Sequence, residues 1–391
     1  MKKPLVYFLG KGLRRILSYE RLVEISSQVN LPLAPPLTAN ISITSRCALR
    51  CKYCEVWKYQ GKTQDLHPEQ FGRILASAKN LGVRILTITG GEPLLHGELQ
   101  RIIAISRKHQ MRVHIITKGS LLTNDRAAEL VRSGVNCIVL SLDTFDAEIY
   151  RYLTGTSFES AERALKSLLY VKEKDQDLDV AVNCVINRYN IGTLAYFARR
   201  VTEYGNGKIL INFQPYQRCG LRIKDELVPS KEMYPILVKE IDELIELKRR
   251  NLPLINSVQF LRRIPEFLVF NKMPKGFKCK AGFVGIYICD NLDVRPCYQL
   301  PPLGNLNGEN LERIWFSEEF GKQRGSMKVG RCRGCLLTCH NDETRYDWYN
   351  RIDKNGRLQC RARARNKIPA AVGKVESRLG KSCKQESAVE K

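Results

Sequence analysis

The sequence lacks any run of the roughly 18 to 20 uncharged apolar residues that a helix needs to cross a bilayer. Its first apolar stretch, in MKKPLVYFLGKGLRRIL, is broken by Lys11, Arg14 and Arg15 before it reaches signal-peptide length. A secreted protein stapled by disulfides is therefore not expected, and the cytoplasm is the simplest placement. Acid is scarce: 40 Asp and Glu stand against 64 Lys and Arg, a formal net charge of +24. That excess suits nucleic acid, an anionic substrate or a membrane surface as well as plain solubility. Part of it lies in the tail at 361–391, which includes RARARNK and reads as a disordered basic end. A disordered composition overall is also absent, since 43% of residues are hydrophobic and 27% charged. The 391 residues exceed the roughly 250 to 300 at which one core stops growing. One large and one smaller domain are expected.

From residue 38 a short β-branched run alternates with apolar residues three and four apart. The strand candidates are ANISIT (39–44), RILTIT (84–89), RVHIIT (112–117), CIVLSLD (137–143), VAVNCVIN (180–187) and KILINFQP (208–215). Between them lie helical patterns such as the one carrying Phe71, Ile74, Leu75 and Ala78 on one face. Six βα units predict parallel strands in an open (βα)6 partial barrel spanning 38–250, with function at the loops that follow the strands. Residues 1–37 form a basic amphipathic segment, and 251–274 a bridging segment after a charged helix near 231–250. Cysteines return in 275–360, a stretch of little regular period that metal rather than a core would hold.

Of the 14 cysteines, Cys47, Cys51 and Cys54 fall in the loop after the first strand. In a reducing compartment such clusters are metal ligands or catalytic groups more often than staples. A structural zinc site wants four closed ligands, and the next histidine is His67, inside the turn signal LHPEQ. A cubane iron–sulfur cluster held by three thiolates leaves one iron open, which implies chemistry rather than scaffolding. Both readings stand on spacing alone. In the second loop, TITGGEPLL supplies Gly90 and Gly91, which let a backbone approach closely, Glu92 as an acceptor for an ammonium group, and Pro93. A tight βα turn explains the glycines and the proline, but not their pairing with the cysteine loop.

Together, Cys47-x3-Cys51-x2-Cys54 with Tyr53 before the last cysteine, and the GGEP loop, resemble the radical S-adenosylmethionine (radical SAM) enzymes. The resemblance implies an open (βα)6 barrel with a SAM-binding 4Fe-4S cluster on the three cysteines. SAM is then cleaved by one electron to a 5′-deoxyadenosyl radical that takes hydrogen from a substrate. It implies that Gly90, Gly91, Glu92 and Pro93 hold the methionyl amine, and that Tyr53, Thr117, Ser141, Asp143 and Asn183 lie where relatives contact SAM. Relatives often carry Thr-Asn-Gly where this chain has Thr117-Lys118-Gly119. Lys118 then either meets the SAM carboxylate or turns elsewhere.

The C-terminal cysteines resemble the SPASM extension, through Cys279, VRPC ending in Cys297, GNL at 304–306, Trp315, and Cys332-x2-Cys335-x3-Cys339. The resemblance implies one or two auxiliary 4Fe-4S clusters on Cys279, Cys297, Cys332, Cys335, Cys339 and Cys360, with Cys289 a further donor. Two departures stand out: Leu292 occupies a position where a glycine near the cysteine is usual, and the terminal cysteine run is short. A thiolate-rich zinc knob using His340 is the alternative. Cys137 and Cys184 read as inert core cysteines, Cys219 as a residue facing the site, and Cys383 as free.

The partners implied are an electron donor such as a flavodoxin or ferredoxin, and a peptide or protein substrate. Against a peptide, the 37 residues before the first strand are few for a leader-binding domain. The alternative is a small anionic or lipid-linked metabolite, with peripheral membrane contact through the basic N-terminal helix, for which packing on the barrel is the commoner arrangement. A metal-stabilised nucleic-acid-binding protein is favoured by charge alone, and no arginine–aromatic platform accompanies it.

Overall fold

Every one of the six β-branched runs forms a strand: β1 Thr38–Ser42, β2 Ile85–Thr89, β3 Arg112–Thr117, β4 Cys137–Ser141, β5 Asp179–Ile186 and β6 Leu210–Pro215. These come from a computed structural model that describes residues 10, 12–13, 16–59, 65–217, 225–273, 277–328, 335–338 and 342. The strands pair in parallel in chain order, because each crossover is a helix whose apolar stripe packs back on the sheet. In helix Pro68–Leu81 the expected face is buried, with Phe71, Ile74, Leu75 and Ala78 all in the core.

Among the described residues β6 does not close onto β1. The sheet instead continues from β1 to β7 (Gly285–Ile288), which is parallel to it, and then to the antiparallel β8 (Asp293–Arg295) and β9 (Gly304–Asn305). The barrel is therefore open, as expected, and the cysteine-rich region extends its sheet. The hairpin between β7 and β8 also accounts for the unusual Leu292. Its φ of 70° lies in the left-handed region, which glycine occupies without strain and leucine does not.

Behind β7, Arg324 lies 1% exposed among aromatic rings, 4.3 Å from the centre of Trp315 and 4.4 Å from that of Phe320. It donates to the carbonyls of Gly282 and Trp315, each at 2.7 Å. Burial lowers its pKa to about 9.

The bridging segment and the N-terminal segment both carry helices. Residues 251–274, read as a bridge, hold helix Val258–Phe270, which packs on helix Tyr234–Arg249 despite Pro265 in its interior. The N-terminal helix, Tyr19–Val29, turns Tyr19, Leu22 and Val23 onto Leu33, Ala34, Leu37, Phe283 and Val284. That apolar face is covered by the protein itself. Among the described residues no helix is long and apolar enough to cross a membrane. The start of the amphipathic segment (1–9, 11, 14 and 15), Cys219, and the basic tail with Cys383 lie outside the described residues.

The outer edge of β6 is sealed, as an unpaired strand edge would be a template for association. The Ile211 N–H donates to the Pro253 carbonyl, and the Ile255 N–H to that of Ile211, each at 2.8 Å. Asn256, fully buried, then acts as a further rung. Its Oδ1 accepts from the Phe213 N–H at 2.7 Å, while its Nδ2 donates to the Phe213 carbonyl at 2.9 Å and to Asn212 Oδ1 at 3.0 Å. Asn256→Ala should orphan both backbone groups of Phe213 and cost about 3 kcal/mol. Urea denaturation of the wild type and the variant checks this, and a change within about 0.5 kcal/mol contradicts it.

Candidate active site

Loops after β1 and β2 meet backbone to backbone. The Gly91 N–H donates to the Thr44 carbonyl and the Glu92 N–H to that of Arg46, each at 2.8 Å. A Cβ on Gly91 would lie 2.1 Å from the Arg46 carbonyl oxygen, and one on Gly90 2.3 Å from that of Thr44; Gly90 also has a φ of 132°. The glycine pair is thus required by the neighbouring loop itself. Thr44 and Arg46 are tied in turn to Asp65, Thr44 Oγ1 at 2.6 Å and Arg46 by an ion pair.

Beyond this junction the cysteine loop folds over the end of the barrel. A turn joins the Cys54 N–H to the Cys51 carbonyl at 3.1 Å, and the Lys52 N–H reaches the carbonyl of Leu153 in helix Ala147–Thr154 at 2.8 Å. The Trp57 indole N–H closes on the Cys54 carbonyl at 2.9 Å. Cys51 is buried and Cys47 and Cys54 half-buried; none is in a disulfide. Burial is the main cause that raises all three thiol pKa values, and the charge each would carry raises its neighbours' further.

Glu92, 3% exposed, is held by three donors: Thr117 Oγ1 at 2.7 Å and the Leu94 N–H at 3.1 Å on Oε1, and the Lys118 N–H at 3.0 Å on Oε2. A carboxylate accepts about four hydrogen bonds, so one site remains on Oε2. Burial raises its pKa and the three donors lower it again in part. Pro93 opens the short 3-10 turn that presents Leu94. Thr117 Oγ1 in turn accepts from the Gly119 N–H at 2.9 Å.

Lys118 points into the protein. Its Nζ donates to Tyr53 Oη at 2.6 Å and to Asp143 Oδ2 at 2.9 Å, and the Tyr53 hydroxyl donates to the same Asp143 oxygen at 2.6 Å. Asp143 Oδ1 accepts from the Val185 N–H at 2.9 Å. Loops after β1, β3 and β4 and strand β5 are tied through this one carboxylate. Burial, then Asp143, pushes the Tyr53 phenol well above its ordinary pKa and keeps it neutral.

Ser141 and Asn183 sit side by side in register, Ser141 at the end of β4 and Asn183 on β5. Asn183 faces the barrel lumen, a cavity of about 500 Å³. Polar groups on the wall form a ladder. Asn212 Nδ2 donates to Asn183 Oδ1, and Thr338 Oγ1 donates to Gln214 Oε1 at 3.0 Å. Gln217 exchanges hydrogen bonds with the backbone of Leu336, at 3.2 and 3.0 Å. Residues 335–338 thereby dock on the end of β6, at the side the sheet leaves open. The described lining has no lysine or arginine, and its one acid, Asp342, accepts from the Ser257 N–H at 3.1 Å. Nothing in the sequence pattern distinguishes Gln214, Gln217 and Thr338 from ordinary strand-end and loop polar residues.

Cys279 and Cys297 are buried together with Ala281 and Met327, and Cys335 is buried beside Leu337. Burial pushes the Cys289 thiol up to about 11. Cys332, Cys339, Cys360 and His340 lie outside the described residues. Cys137 and Cys184 are buried in their strands.

The loop offers three thiols and no imidazole, which fits a cluster taking one thiolate per iron better than a closed zinc site. Among the described residues no three His, Cys, Asp or Glu side chains converge as a single ion would require. The comparisons agree. The family described as the radical SAM superfamily matches residues 41–192, and the SPASM iron–sulfur cluster-binding domain matches 279–336. A PqqA peptide cyclase from Granulibacter bethesdensis is 28% identical over 326 residues, 81% of this chain and 82% of that protein. One from Xanthomonas campestris is 25% identical over 77% of this chain and 79% of its own length. SuiB of Streptococcus suis, bound to its precursor peptide SuiA, has the same fold at 19% identity, with a TM-score of 0.59 over 86% of this chain and 78% of that one. The cysteine loop, the glutamate loop and Cys279, Cys297, Cys332 and Cys335 lie within those matches, Cys339 and Cys360 beyond them, and the chain carries a radical SAM domain and a C-terminal SPASM domain.

Proposed function

We propose that this radical SAM enzyme modifies a peptide. The observation that carries the reading is a lumen whose described lining holds no lysine or arginine and whose one acid, Asp342, accepts from the Ser257 N–H. A phosphorylated or carboxylate metabolite would meet no lysine or arginine on the described lining, and burying an unpaired anion there is costly. Backbone amides and uncharged side chains match the ladder of Asn183, Asn212, Gln214 and Thr338. The peptide substrates in the names of the cyclases, and the peptide bound to SuiB, support the same choice. The lipid-linked alternative loses its main argument, since the described apolar face of the N-terminal helix packs on the protein.

In this reading Cys47, Cys51 and Cys54 hold the catalytic 4Fe-4S cluster. Cys279, Cys297, Cys332, Cys335, Cys339 and Cys360 hold the auxiliary cluster or clusters. When bound, the catalytic cluster and SAM supply one-electron cleavage of the sulfonium and removal of a substrate hydrogen. The chain's own residues bind and orient. Glu92 accepts the methionyl ammonium on its remaining Oε2 site, and Thr117 fixes the rotamer that exposes it. Gly90, Gly91 and Pro93 set the height of Glu92 above the barrel. Ser141 and Asn183 line the rim where the SAM nucleoside would lie, while Asp143 positions Tyr53 and Lys118. Arg46 and Arg50 are exposed on the cysteine loop, and Arg50 lies 5.0 Å from the Trp57 ring centre. An acidic electron carrier of the flavodoxin or ferredoxin type fits that surface. A reducing cytoplasm suits a chain whose clustered cysteines are proposed as cluster ligands.

Replacing Cys47, Cys51 and Cys54 with alanine should remove one cubane's worth of iron and sulfide from anaerobically reconstituted protein and leave the remainder. Unchanged iron, or zinc in its place, contradicts the assignment.

Glu92→Gln should keep that iron while weakening SAM binding roughly 10- to 100-fold, the value of one charge-assisted hydrogen bond. Anaerobic calorimetry reads the affinity, and an unchanged one removes Glu92 from its role.

The substrate class is tested by incubating reduced enzyme and SAM with short peptides encoded beside its gene and, separately, with phosphorylated metabolites. A changed peptide mass is expected, with SAM consumed faster than without peptide. Stimulation by the anionic compounds alone overturns the peptide reading.

A further inference from the structure

Asn183 lines the lumen from β5, and the orientation of its amide is decided outside the lumen. The oxygen and nitrogen of a carboxamide are nearly alike in size, so hydrogen-bond partners settle which end points where. Here the first partner is backbone. The Phe213 N–H can only donate and its carbonyl only accept, so Asn256 must turn Oδ1 to the one, at 2.7 Å, and Nδ2 to the other, at 2.9 Å. The second hydrogen on Nδ2 is then left for Asn212, which has to meet it with Oδ1, at 3.0 Å. That turns Asn212 Nδ2 the other way. Its hydrogens go to Asn183 Oδ1 and, at 3.5 Å, to Thr338 Oγ1. Asn183 thus meets the relay with its oxygen and keeps Nδ2 for the lumen.

Reversing any one of the three amides sets hydrogen against hydrogen or oxygen against oxygen. Reversing all three instead orphans the backbone groups of Phe213, because Asn256 is fully buried and water cannot replace it. One orientation alone satisfies the whole series. A preference set at the outer edge of β6 is therefore transmitted to the lumen without any charge.

We propose that Asn256 and Asn212 are positioning residues that hold Asn183 as a hydrogen-bond donor toward the lumen, where it takes an oxygen that can only accept: a carbonyl of the peptide substrate or the carboxylate of SAM. The inference rests on the reading of the lumen as the place where substrate and SAM meet. Asn256 acts through two other side chains and touches neither ligand.

Asn256→Asp reverses the relay from behind β6. An aspartate still accepts from the Phe213 N–H. Ionised, it offers Asn212 only oxygen; protonated, its one hydrogen goes to the Phe213 carbonyl and oxygen is again what Asn212 meets. Asn212 and Asn183 then turn over, and Asn183 shows Oδ1 to the lumen. Asn256→Ala removes the constraint without reversing it, so Asn183 keeps access to its original orientation. Anaerobic calorimetry of the reconstituted proteins reads SAM affinity, and steady-state kinetics with the peptides encoded beside the gene reads KM and kcat. The aspartate variant should lose about tenfold, in SAM affinity if the oxygen is SAM's and in peptide KM if it is the substrate's, while the alanine variant stays within about threefold of wild type. A role in packing alone predicts instead that binding follows stability in urea. Losses in the alanine variant equal to or larger than those in the aspartate variant, or no loss in either measurement, overturns the proposal. If the wild type modifies none of the peptides, the peptide reading has failed by itself, and calorimetry alone decides the relay. Where an Asn256 variant does not fold, Asn212→Asp and Asn212→Leu make the same comparison one step along, with the same outcomes deciding.

Discussion

The loop after β1 and the loop after β2 are joined by two backbone hydrogen bonds, Gly91 to Thr44 and Glu92 to Arg46. The placement of the other site residues follows from that junction. It brings the cysteine loop and Glu92 to one end of the barrel and leaves no room for a Cβ at either glycine. Backbone contacts of this kind hold position without depending on side-chain rotamers. Three loops can then converge on a site whose ligands come from different strands, the general advantage of building at the C-terminal ends of a parallel sheet.

A second layer of order is electrostatic. A buried Lys–Asp pair contributes little net stability, because desolvating both ions opposes their attraction, and losing one partner is far more damaging than losing both. The Lys118, Asp143 and Tyr53 triangle is better understood as a tie that holds loops in register. The lumen below is lined by amides, hydroxyls, His114 and Asp342 on an otherwise apolar wall, with no lysine or arginine in its described lining.

Much of this was legible in the sequence. Six β-branched runs at βα spacing specify parallel strands, and the cysteine and GGEP loops fall directly after the first two. What escaped notice has physical reasons. β7, β8 and β9 have four, three and two residues, too short for a period to register. Helix Val258–Phe270 contains Pro265, which normally ends a helix, yet burial of Phe260, Leu261, Ile264, Phe267 and Leu268 on its neighbours outweighs the lost hydrogen bond. The inward turn of Lys118 depends on Tyr53 and Asp143, 65 and 25 residues away, so no local pattern announces it. Gln214, Gln217 and Asn256 gain meaning only where residues 335–338 and the segment 253–256 meet the edge of β6.

The proposed open cluster beside an ammonium-binding glutamate is tested most directly by the product formed from SAM. Reconstituted protein reduced with dithionite should convert SAM to 5′-deoxyadenosine and methionine, and the variant lacking Cys47, Cys51 and Cys54 should not, even with its other iron in place. Formation of S-adenosylhomocysteine without 5′-deoxyadenosine, or equal 5′-deoxyadenosine from both proteins, would contradict it.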